Sequence, residues 1–526
     1  MLASLSFALL AATALTTPCE SLRSVAIAQT MIGTAELVPA GPFVQPGRGA
    51  APDGRGVAPD GRGAAPGGRG AAPAGRGTAP AARGVAPAGR GAATSSLPAH
   101  CRVTMVLKPS SDSNINSELW MPAENWNGKL MVVGNGGFAG SIQGYGDMQV
   151  ALRLGYATAA TDTGHNAADG PNGMFALGHP EKIVDFADRA AHETTVKAKE
   201  LIKAFYDRSP QYSYFKGCST GGRMAVMAAQ RHPDDYDGII GGALANRHIQ
   251  MHTAGFARSV TLARNPDQAL SQAKAQMVTA AVLAKCDTFK EGFLNNPRQC
   301  SFDFSTLLCK GAEGDNCLTK PQLQSVETFY GGLKNSKGEL IFSGQALGNP
   351  MPALQSSQMI NVIDTVRIWG FQNADYDWHT FDLDRDMPII NKKVGFVDAV
   401  DPDLKALKAH GGKLFLYAGW ADTAITPENT VLYYESVLDK MGKNQSDWMR
   451  LFLVPGMAHC GGGPGPNTFD SIGTLETWRE HGVAPAQVTA ANAQAFLTRP
   501  LCPFPQYAKY KGTGNQKDAA NWMCGN

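Results

Sequence analysis

The sequence lacks the features that define several other classes of protein. No C-x-x-C pair occurs among its ten cysteines, which argues against a zinc site of the common type. No lysine follows the glycine-rich stretches in the pattern of a phosphate-binding loop, so nucleotide binding is not indicated. Beyond the N-terminus, no stretch has the length and apolarity of a membrane-spanning helix. The composition is that of a globular protein, because 43% of the residues are hydrophobic and only 17% are charged. A length of 526 residues is enough for one to three domains.

The small net charge of +2 is unevenly distributed along the chain. The segment Gly47–Gly91 holds seven arginines and two aspartates, so it carries +5 and leaves −3 for the rest of the chain. A mildly acidic remainder indicates no groove for nucleic acid. The arginines recur every seven residues, but proline and glycine take the place of a coiled-coil seam. We therefore expect a disordered Pro/Gly/Arg heptapeptide repeat over residues 47–91, an inert linker.

The N-terminus predicts export from the cytoplasm. Residues 1–17 carry no charge and have an apolar middle, too short for a stable membrane anchor but typical of a secretion signal, although the usual basic start is missing. We therefore expect a secreted or periplasmic protein without a membrane span. In such a compartment an even number of cysteines favours disulfides, with free buried thiols as the alternative.

A serine lies in the sequence Gly217-Cys218-Ser219-Thr220-Gly221. The pattern G-x-S-x-G is weak by itself, but its context is informative. Tyr212 to Lys216 is β-prone, and Gly221 to Gln230 reads as a helix. A strand, a sharp turn and a helix are what a nucleophilic serine of this type requires, with its hydroxyl exposed at the turn. An ordinary serine in a glycine-rich turn is the alternative.

An aspartate and a histidine follow the serine in the order expected of such a triad. Asp422 comes after the apolar strand Lys413 to Leu416, and His459 comes after the strand Leu451 to Pro455. Open α/β sheets place their sites at the C-terminal ends of strands. The sequence therefore predicts that Ser219, Asp422 and His459 are catalytic, with a turn aspartate and a packed loop histidine as the alternatives.

A cysteine neighbours both the serine and the histidine. If Ser219 and His459 come within hydrogen-bond reach, Cys218 and Cys460 come close enough to bridge, because a disulfide needs Cα atoms roughly 4.4–6.8 Å apart. The sequence thus predicts a disulfide that ties the nucleophile to its base.

The oxyanion hole is expected to use the amide of the residue after the nucleophile, Thr220, and a second amide from a glycine-rich loop. Such a loop follows the predicted strand Leu130 to Gly134, and Gly136 and Gly137 are its candidate donors. A plain surface loop is the alternative.

Alternating strands and helices over residues 103–245 predict an α/β fold. The pattern loosens over residues 246–400 and strands return at 413. We therefore expect a catalytic domain over residues 92–245 and 401–526, joined by an N-terminal segment at 18–46, and an inserted lid at 246–400 that shapes access to the site.

The chain resembles the tannase and feruloyl esterase family. The matching stretches are WNGKLMVVGNGGFAG (126–140), TDTGHN (161–166), YFKGCSTGGRMA (214–225), YAGWAD (417–422) and VPGMAHCGGGPG (454–465). Similarity extends from about Cys19 to Cys524, apart from the repeat. The resemblance implies an α/β-hydrolase fold with a large lid between nucleophile and acid, the triad and the bridge named above, and the further pairs Cys19–Cys101, Cys286–Cys300, Cys309–Cys317 and Cys502–Cys524.

The loop that binds calcium in relatives is shortened in this sequence. Asp287 and Glu291 are the acids that remain, fewer than the 6–8 oxygen ligands that calcium prefers. No cofactor is expected for the chemistry itself, and a structural calcium at these two acids is the open question.

The resemblance implies a secreted serine esterase that forms an acyl-enzyme and hydrolyses esters of phenolic aromatic acids, galloyl, feruloyl or related. A small aromatic ester or a plant polyphenol is then the partner. Candidates for substrate contact come from an aromatic-rich part of the lid: Arg367, Trp369, Tyr376, Trp378 and Phe381. Lid packing is the alternative role of each. The rival functions are a general carboxylesterase or lipase, which a long-chain acyl assay separates, and an inactive wall- or tannin-binding protein, which the intact Ser/Asp/His set argues against.

Overall fold

The structure is a computed structural model that describes residues 17–45, 96–357 and 362–526. All but the last residue of the expected signal segment 1–17 lies outside the described residues, and so does the repeat Gly47–Gly91. The expectations for both segments therefore remain predictions.

A nine-stranded sheet forms the centre of the molecule. In chain order the strands are β1 (Thr30–Val38), β2 (His100–Leu107), β3 (Ile115–Pro122), β4 (Lys129–Val133), β5 (Ala157–Thr161), β6 (Tyr212–Cys218), β7 (Gly238–Gly242), β8 (Leu333–Lys334), β9 (Leu340–Phe342), β10 (Lys413–Gly419), β11 (Met449–Val454), β12 (Val488–Asn492), β13 (Leu497–Leu501), β14 (Tyr507–Tyr510) and β15 (Trp522–Gly525). The order in the main sheet is β1-β2-β3-β5-β4-β6-β7-β10-β11, and β8–β9, β12–β13 and β14–β15 form separate pairs.

The strands from β5 to β11 in that order are parallel, whereas β1, β2 and β3 form an antiparallel edge that joins β5. β5 and β7 are buried at every position, as expected for parallel strands covered on both faces. Each strand predicted from the sequence in this region is present, with ends shifted by a few residues at most.

Helices cover both faces of the sheet. In chain order they are α1 (Tyr145–Arg153), α2 (Pro180–Val184), α3 (Ala190–Tyr206), α4 (Thr220–Arg231), α5 (His248–Arg264), α6 (Gln272–Cys286), α7 (Lys320–Gly331), α8 (Leu383–Val394), α9 (Lys405–Ala409), α10 (Pro427–Met441) and α11 (Ser471–His481). Successive β4 residues alternate between two cores, because side chains of a strand point to opposite faces. Leu130 and Val132 pack in the core with α3, α4 and α10, and Met131 and Val133 pack in the core with α1 and α11.

The described residues between β7 and β10 add no strand to the main sheet. This insertion, residues 243–412, contains α5–α9, the β8–β9 pair and a π-helical segment, Thr365–Gly370. One of its apolar clusters joins α5, α8 and the π-helical segment to Phe175 and Phe186 of the sheet-bearing part. The insertion is therefore packed against the rest of the fold at its base.

Five disulfides join the ten cysteines, in the five pairs that the resemblance implies. Their Cα separations lie between 4.9 Å for Cys309–Cys317 and 5.9 Å for Cys218–Cys460. Within the described ranges, no helix combines the length and the apolar character needed to cross a membrane.

Candidate active site

Ser219 occupies a sharp turn between β6 and α4. Its backbone has φ 64° and ψ −123°, a conformation that costs a non-glycine residue about 1–3 kcal/mol. Three backbone hydrogen bonds hold it there. Ser219 N donates to Gly242 O at 3.0 Å, and Ser219 O accepts from Arg223 N at 3.0 Å and from Ala245 N at 3.2 Å. The strained turn leaves the serine half-buried at the wall of a cavity.

The turn requires glycine on the strand side of the serine. A Cβ atom at Gly217 would lie 2.4 Å from the carbonyl oxygen of Gly221. Because no side chain fits in that space, the strand and the helix can approach closely enough to project Ser219 outward. The sequence prediction of a strand–turn–helix unit around this serine is therefore realised in the backbone.

Asp422 is fully buried and holds the imidazole of His459. Its Oδ2 lies 2.8 Å from His459 Nδ1. Its Oδ1 accepts the amides of Ala424 at 2.8 Å and Ile425 at 2.9 Å. Since the carboxylate accepts at Nδ1, that nitrogen carries the proton and Nε2 keeps its lone pair. This tautomer is the one that a general base needs.

The loops that carry the acid and the histidine are joined to each other. Trp420 N donates to Val454 O at 2.9 Å, and Ala421 N donates to Met457 O at 3.0 Å. From the insertion, the side-chain amide of Asn349 donates to the backbone oxygen of Asp422 at 2.6 Å. The position of Asp422 is therefore fixed from both the sheet and the insertion.

The bridge between Cys218 and Cys460 connects the serine turn to the histidine loop. The two cysteines are 242 residues apart in sequence, and their Cα atoms are 5.9 Å apart. Each is the immediate neighbour of a candidate catalytic residue. The bridge consequently limits how far the backbones at Ser219 and His459 can separate.

Ser219, His459 and both cysteines of the bridge line one cavity of about 1440 Å³. Among the described residues, no hydrogen bond joins Ser219 Oγ to His459. Catalytic hydrogen bonds of this kind are often long in ligand-free enzymes and tighten when substrate binds. The cavity is thus the place where an ester would meet the serine and the histidine together.

The glycine-rich loop after β4 reaches the same cavity. Thr220 Oγ1 donates to Gly137 O at 2.7 Å, which fixes this loop against the start of α4. The amide of Gly136 donates to Gln143 Oε1 at 3.1 Å, so it is already paired. The structure therefore corrects the expectation for Gly136, and the amides of Thr220 and Gly137 remain as the candidate oxyanion donors. Thr220 is the first residue of α4, where an N–H group has no acceptor within the helix.

The stretch at 161–166 is hydrogen-bonded to that loop. The carbonyl oxygen of Asp162 accepts the amide of Gly140 at 3.1 Å, and the Asn135 side chain donates to Thr161 O. The Asp162 carboxylate accepts from the Asn116 amide and the Gly164 amide. Burial raises the pKa of Asp162 to about 6. This stretch therefore acts by positioning the oxyanion loop.

The substrate residues predicted from the lid do not line the cavity. Trp369 is buried and donates to Gly173 O at 2.9 Å, and Arg367 is paired with Asp364 at 2.7 Å. Trp378 stacks on its neighbour His379, outside the cavity wall. Tyr376 stacks on Phe371, and Phe381 is buried against Phe256. The structure therefore corrects this prediction: these aromatic side chains pack within the insertion or, in the case of Trp369, also against Phe175 and Phe186 of the sheet-bearing part.

Other residues form the wall that the sequence analysis missed. The apolar side chains there are Phe138, Met251, Val362 and Ile425, and three histidines join them: His165, His248 and His252. Burial lowers the pKa of His165 and of His252 to about 4 and that of His248 well below its usual value. The three rings are therefore neutral at pH 7. His248 and His252 were not singled out from the sequence; their spacing of four residues, one helical turn on α5, is the signal that could have placed them on a shared face.

The two acids of the shortened loop do not fit a calcium site. Both oxygens of Glu291 accept from the guanidinium of Arg499, at 2.7 and 3.3 Å, and the Arg499 side chain is fully buried. Asp287 Oδ2 accepts the amide of Gly292 at 2.8 Å. Arg499 therefore supplies the positive charge that a cation would otherwise bring to Glu291.

One other group of described residues brings metal-ligating side chains together: His192, His232 and Asp235. The two imidazoles stack with centroids 3.9 Å apart, and they are hydrogen-bonded to Asp235 and Asp188 respectively. Stacked rings direct their nitrogens side by side instead of towards one point. This group is therefore a network of paired side chains.

The fold and the arrangement of serine, aspartate and histidine after successive parallel strands define an α/β-hydrolase. Solved structures agree: the chain superposes on feruloyl esterase B from Aspergillus oryzae with a TM-score of 0.78 at 25% identity, covering 96% of this chain and 99% of that one. It also matches the fold of tannin acyl hydrolase from Aspergillus niger, with a TM-score of 0.72 at 20% identity over 97% and 95% of the two chains.

The sequence comparisons narrow the class. The family model described as Tannase and feruloyl esterase matches residues 101–363 and 343–525. An uncharacterized esterase of Xanthomonas campestris pv. campestris is 36% identical over 491 residues, covering 82% of this chain and 85% of that protein. A probable feruloyl esterase B-1 of Aspergillus flavus is 31% identical over 459 residues, covering 81% and 86%. The chain belongs to the tannase and feruloyl esterase family, and it is a carboxylic ester hydrolase.

Proposed function

We propose that the protein is a secreted serine esterase that hydrolyses esters of phenolic aromatic acids through an acyl-enzyme. The observation that carries the proposal is the buried Asp422 bonded to His459 at 2.8 Å, with His459 and the strained Ser219 on one cavity and tied through Cys218–Cys460. The relatives named as feruloyl esterases support the phenolic acid as the acyl group.

Acylation begins when Ser219 Oγ attacks the ester carbonyl carbon. His459 Nε2 takes the hydroxyl proton, and Asp422 stabilises the imidazolium that results. The negative charge that develops on the carbonyl oxygen is stabilised by the amides of Thr220 and Gly137. The tetrahedral intermediate collapses by breaking the bond to the alcohol oxygen, which receives the proton from His459.

Deacylation repeats these steps with water. His459 removes a proton from a water molecule, whose oxygen attacks the acyl carbon of Ser219. The collapse of the second intermediate returns the proton to Ser219 Oγ and releases the aromatic acid. The net reaction consumes one water for each ester, and the proposal requires no metal or cofactor for it.

The insertion has the role of a lid in this proposal. α5 supplies Met251 and two histidines to the wall of the cavity, where the histidines contact Phe138 of the candidate oxyanion loop. The catalytic domain is then made of residues 92–245 and 401–526 with the segment 18–46, and the lid of residues 246–400. A signal at residues 1–17 and the five disulfides fit an extracellular or periplasmic enzyme.

Labelling with a fluorophosphonate, followed by peptide mapping, tests the serine. We expect the label on Ser219 and on no other serine. A panel of methyl gallate, methyl ferulate, chlorogenate and p-nitrophenyl butyrate then tests the acyl group, and a long-chain p-nitrophenyl ester tests the rival lipase function.

The Ser219→Ala variant is the control for both measurements. It is expected to fold with unchanged thermal stability and to lose hydrolysis by several orders of magnitude in kcat, since triad members act as a unit. Labelling elsewhere, or substantial turnover by the purified variant, would remove Ser219 from the proposed role. Rates on long-chain esters above those on all aromatic esters would replace the phenolic substrate class.

A further inference from the structure

One wall of the cavity combines an aromatic side chain of the candidate oxyanion loop with two neutral histidines of α5. Phe138 follows the candidate oxyanion residue Gly137 directly in sequence. Its ring centroid lies 5.2 Å from that of His252 and 5.6 Å from that of His248. The two histidine rings are themselves 4.1 Å apart. Imidazole nitrogens thus lie beside the apolar surface that would receive a substrate ring.

His252 is held in a fixed orientation by a buried threonine. Its Nδ1 lies 2.7 Å from Oγ1 of Thr365, which has no exposure to solvent. The other nitrogen, Nε2, has no hydrogen-bond partner in the part of the chain that the structure describes. His252 is also partly exposed at the cavity wall, whereas Thr365 lies behind it. One nitrogen is therefore anchored in the protein and the other is left for a ligand.

His248 adds hydrogen-bonding capacity that the described residues do not use. It is 1% exposed, and neither of its ring nitrogens has a partner among those residues. Most buried polar groups in proteins are hydrogen-bonded, so an imidazole without such a bond at a cavity wall indicates a position where a ligand binds. Its ring stacks on Trp369 and packs against His252, so it supports the position of His252.

We propose that His252, positioned by Thr365 and packed on His248, is a specificity-determining residue that binds a ring hydroxyl of the aromatic acid. This inference rests on the proposed function. A phenolic hydroxyl both donates and accepts, so it pairs with Nε2 of His252 whichever nitrogen carries the proton. The low pKa of the ring keeps it neutral, and a neutral ring is suited to an uncharged phenol. We therefore expect the enzyme to prefer esters of hydroxylated aromatic acids over esters of unsubstituted ones.

Matched esters that differ only in ring hydroxyls test the proposal. We would measure kcat/KM for methyl caffeate against methyl cinnamate, and for methyl gallate against methyl benzoate, in wild type and in His252→Phe. For each pair we would divide kcat/KM of the hydroxylated ester by kcat/KM of the unsubstituted one. Comparing this ratio between wild type and variant removes the difference in intrinsic reactivity of the two esters. In the pair that the wild type accepts better, we expect His252→Phe to reduce the ratio about 10- to 100-fold, the range for a buried hydrogen bond left unpaired.

The loss should fall on the hydroxylated ester, with the unsubstituted ester changed by less than about threefold. His252→Gln, which keeps a hydrogen-bonding group, is expected to retain more of the ratio than His252→Phe. The exposed His481, which does not line the cavity, provides the matched control His481→Phe, for which the ratio should equal that of wild type. An equal loss on both members of a pair in His252→Phe would mean a structural role and would overturn the proposal.

Thr365→Val provides a second route if His252→Phe folds poorly. It removes the anchor of Nδ1 without touching the cavity, so we expect the selectivity for the hydroxylated ester to fall through a higher KM while kcat is largely retained. Unchanged KM for that ester would contradict the proposal. If wild type hydrolyses neither pair, the proposed function itself fails, whereas equal ratios in wild type and both variants reject only the role of His252.

Discussion

Nδ1 of His459 lies 2.8 Å from Oδ2 of Asp422, while the other oxygen of that carboxylate accepts two backbone amides. Three hydrogen bonds thus fix the orientation of the acid, and the imidazole has one tautomer. The arrangement makes Asp422 an orienting group whose removal should affect the rate far more than the fold.

Replacing this acid tests that relationship. In Asp422→Asn, the amide nitrogen can donate to Nδ1, which would move the imidazole proton to Nε2 and leave no base for Ser219. We expect kcat to fall by about 10⁴-fold, as in other triads with a reversed tautomer, with KM changed little. Single-turnover kinetics on the best aromatic ester would measure this. A loss smaller than tenfold would mean that another group orients His459.

The bridge between Cys218 and Cys460 should matter more for catalysis than for stability. A loop of 242 residues gives such a link about 5.5 kcal/mol by chain-entropy reasoning. Yet it fixes the backbone beside both Ser219 and His459, and a misplacement of about 1 Å can cost ~100-fold in rate. We expect the Cys218→Ala/Cys460→Ala double variant to fold and to lose most of its kcat.

Two measurements check this prediction. Peptide mapping of the wild type under non-reducing conditions should recover Cys218 linked to Cys460, and a free thiol or another partner there would contradict it. The Cys309→Ala/Cys317→Ala variant removes a bridge outside the cavity and serves as the control, expected to keep its kcat. Equal losses of activity in both double variants would mean a general effect on stability.

Gln143 is expected to act through the oxyanion loop. Its Oε1 accepts the amide of Gly136 at 3.1 Å, and its Nε2 donates to Ala139 O at 3.3 Å, so it spans the loop that carries Gly137. Gln143→Leu should lower kcat by about tenfold, because a slightly displaced amide donor weakens transition-state binding. Gln143→Glu keeps an acceptor for Gly136 and should recover part of the rate. Identical kcat in the two variants would show that the loop keeps its position without this contact.

The sequence located the residues around the serine because their geometry is local. The turn depends on a few adjacent residues: a glycine at which a Cβ atom would lie 2.4 Å from the Gly221 oxygen, a serine with φ 64° and a helix that begins at the next residue. The neighbouring cysteines then related two distant loops, since a disulfide has a narrow range of Cα distances. The same reasoning could not separate Gly136 from Gly137, because the side chain of Gln143, which precedes α1, accepts the amide of Gly136.

The cavity wall could not be derived in this way. Trp369 and Arg367 were chosen for their residue types, but the π-helical segment Thr365–Gly370 turns Trp369 into the core and Arg367 towards Asp364. What reaches the cavity is decided by how α5 packs on that segment, a contact between parts of the chain that are over a hundred residues apart. No pattern in either segment alone encodes this contact, although the spacing of His248 and His252 by one helical turn could have indicated which face of α5 they share.

The carboxylate of Asp398 links the position of α5 to pH. Its Oδ1 accepts the amide of Ile249 at 2.7 Å, at the start of the helix that carries His248 and His252. Burial raises the pKa of Asp398 to about 7, although Arg223 and Arg247 favour its ionised form. In the unfolded chain an aspartate titrates near 3.9. Between about pH 4 and 7 the folded protein therefore binds a proton that the unfolded chain has lost.

It follows that the stability contributed by Asp398 is present at low pH and is lost as pH rises through about 7. Asp398→Asn keeps an acceptor for Ile249 and cannot ionise. We therefore expect the variant to gain stability relative to wild type between pH 4.5 and pH 8, by up to about 4 kcal/mol for a shift of this size. Urea unfolding at the two pH values measures the difference, with the exposed Asp267→Asn as control. The contributions of other titrating groups cancel when the free energy of unfolding of wild type is subtracted from that of the variant. If this difference stays constant or shrinks as the pH rises, Asp398 is already ionised in the folded protein below pH 7.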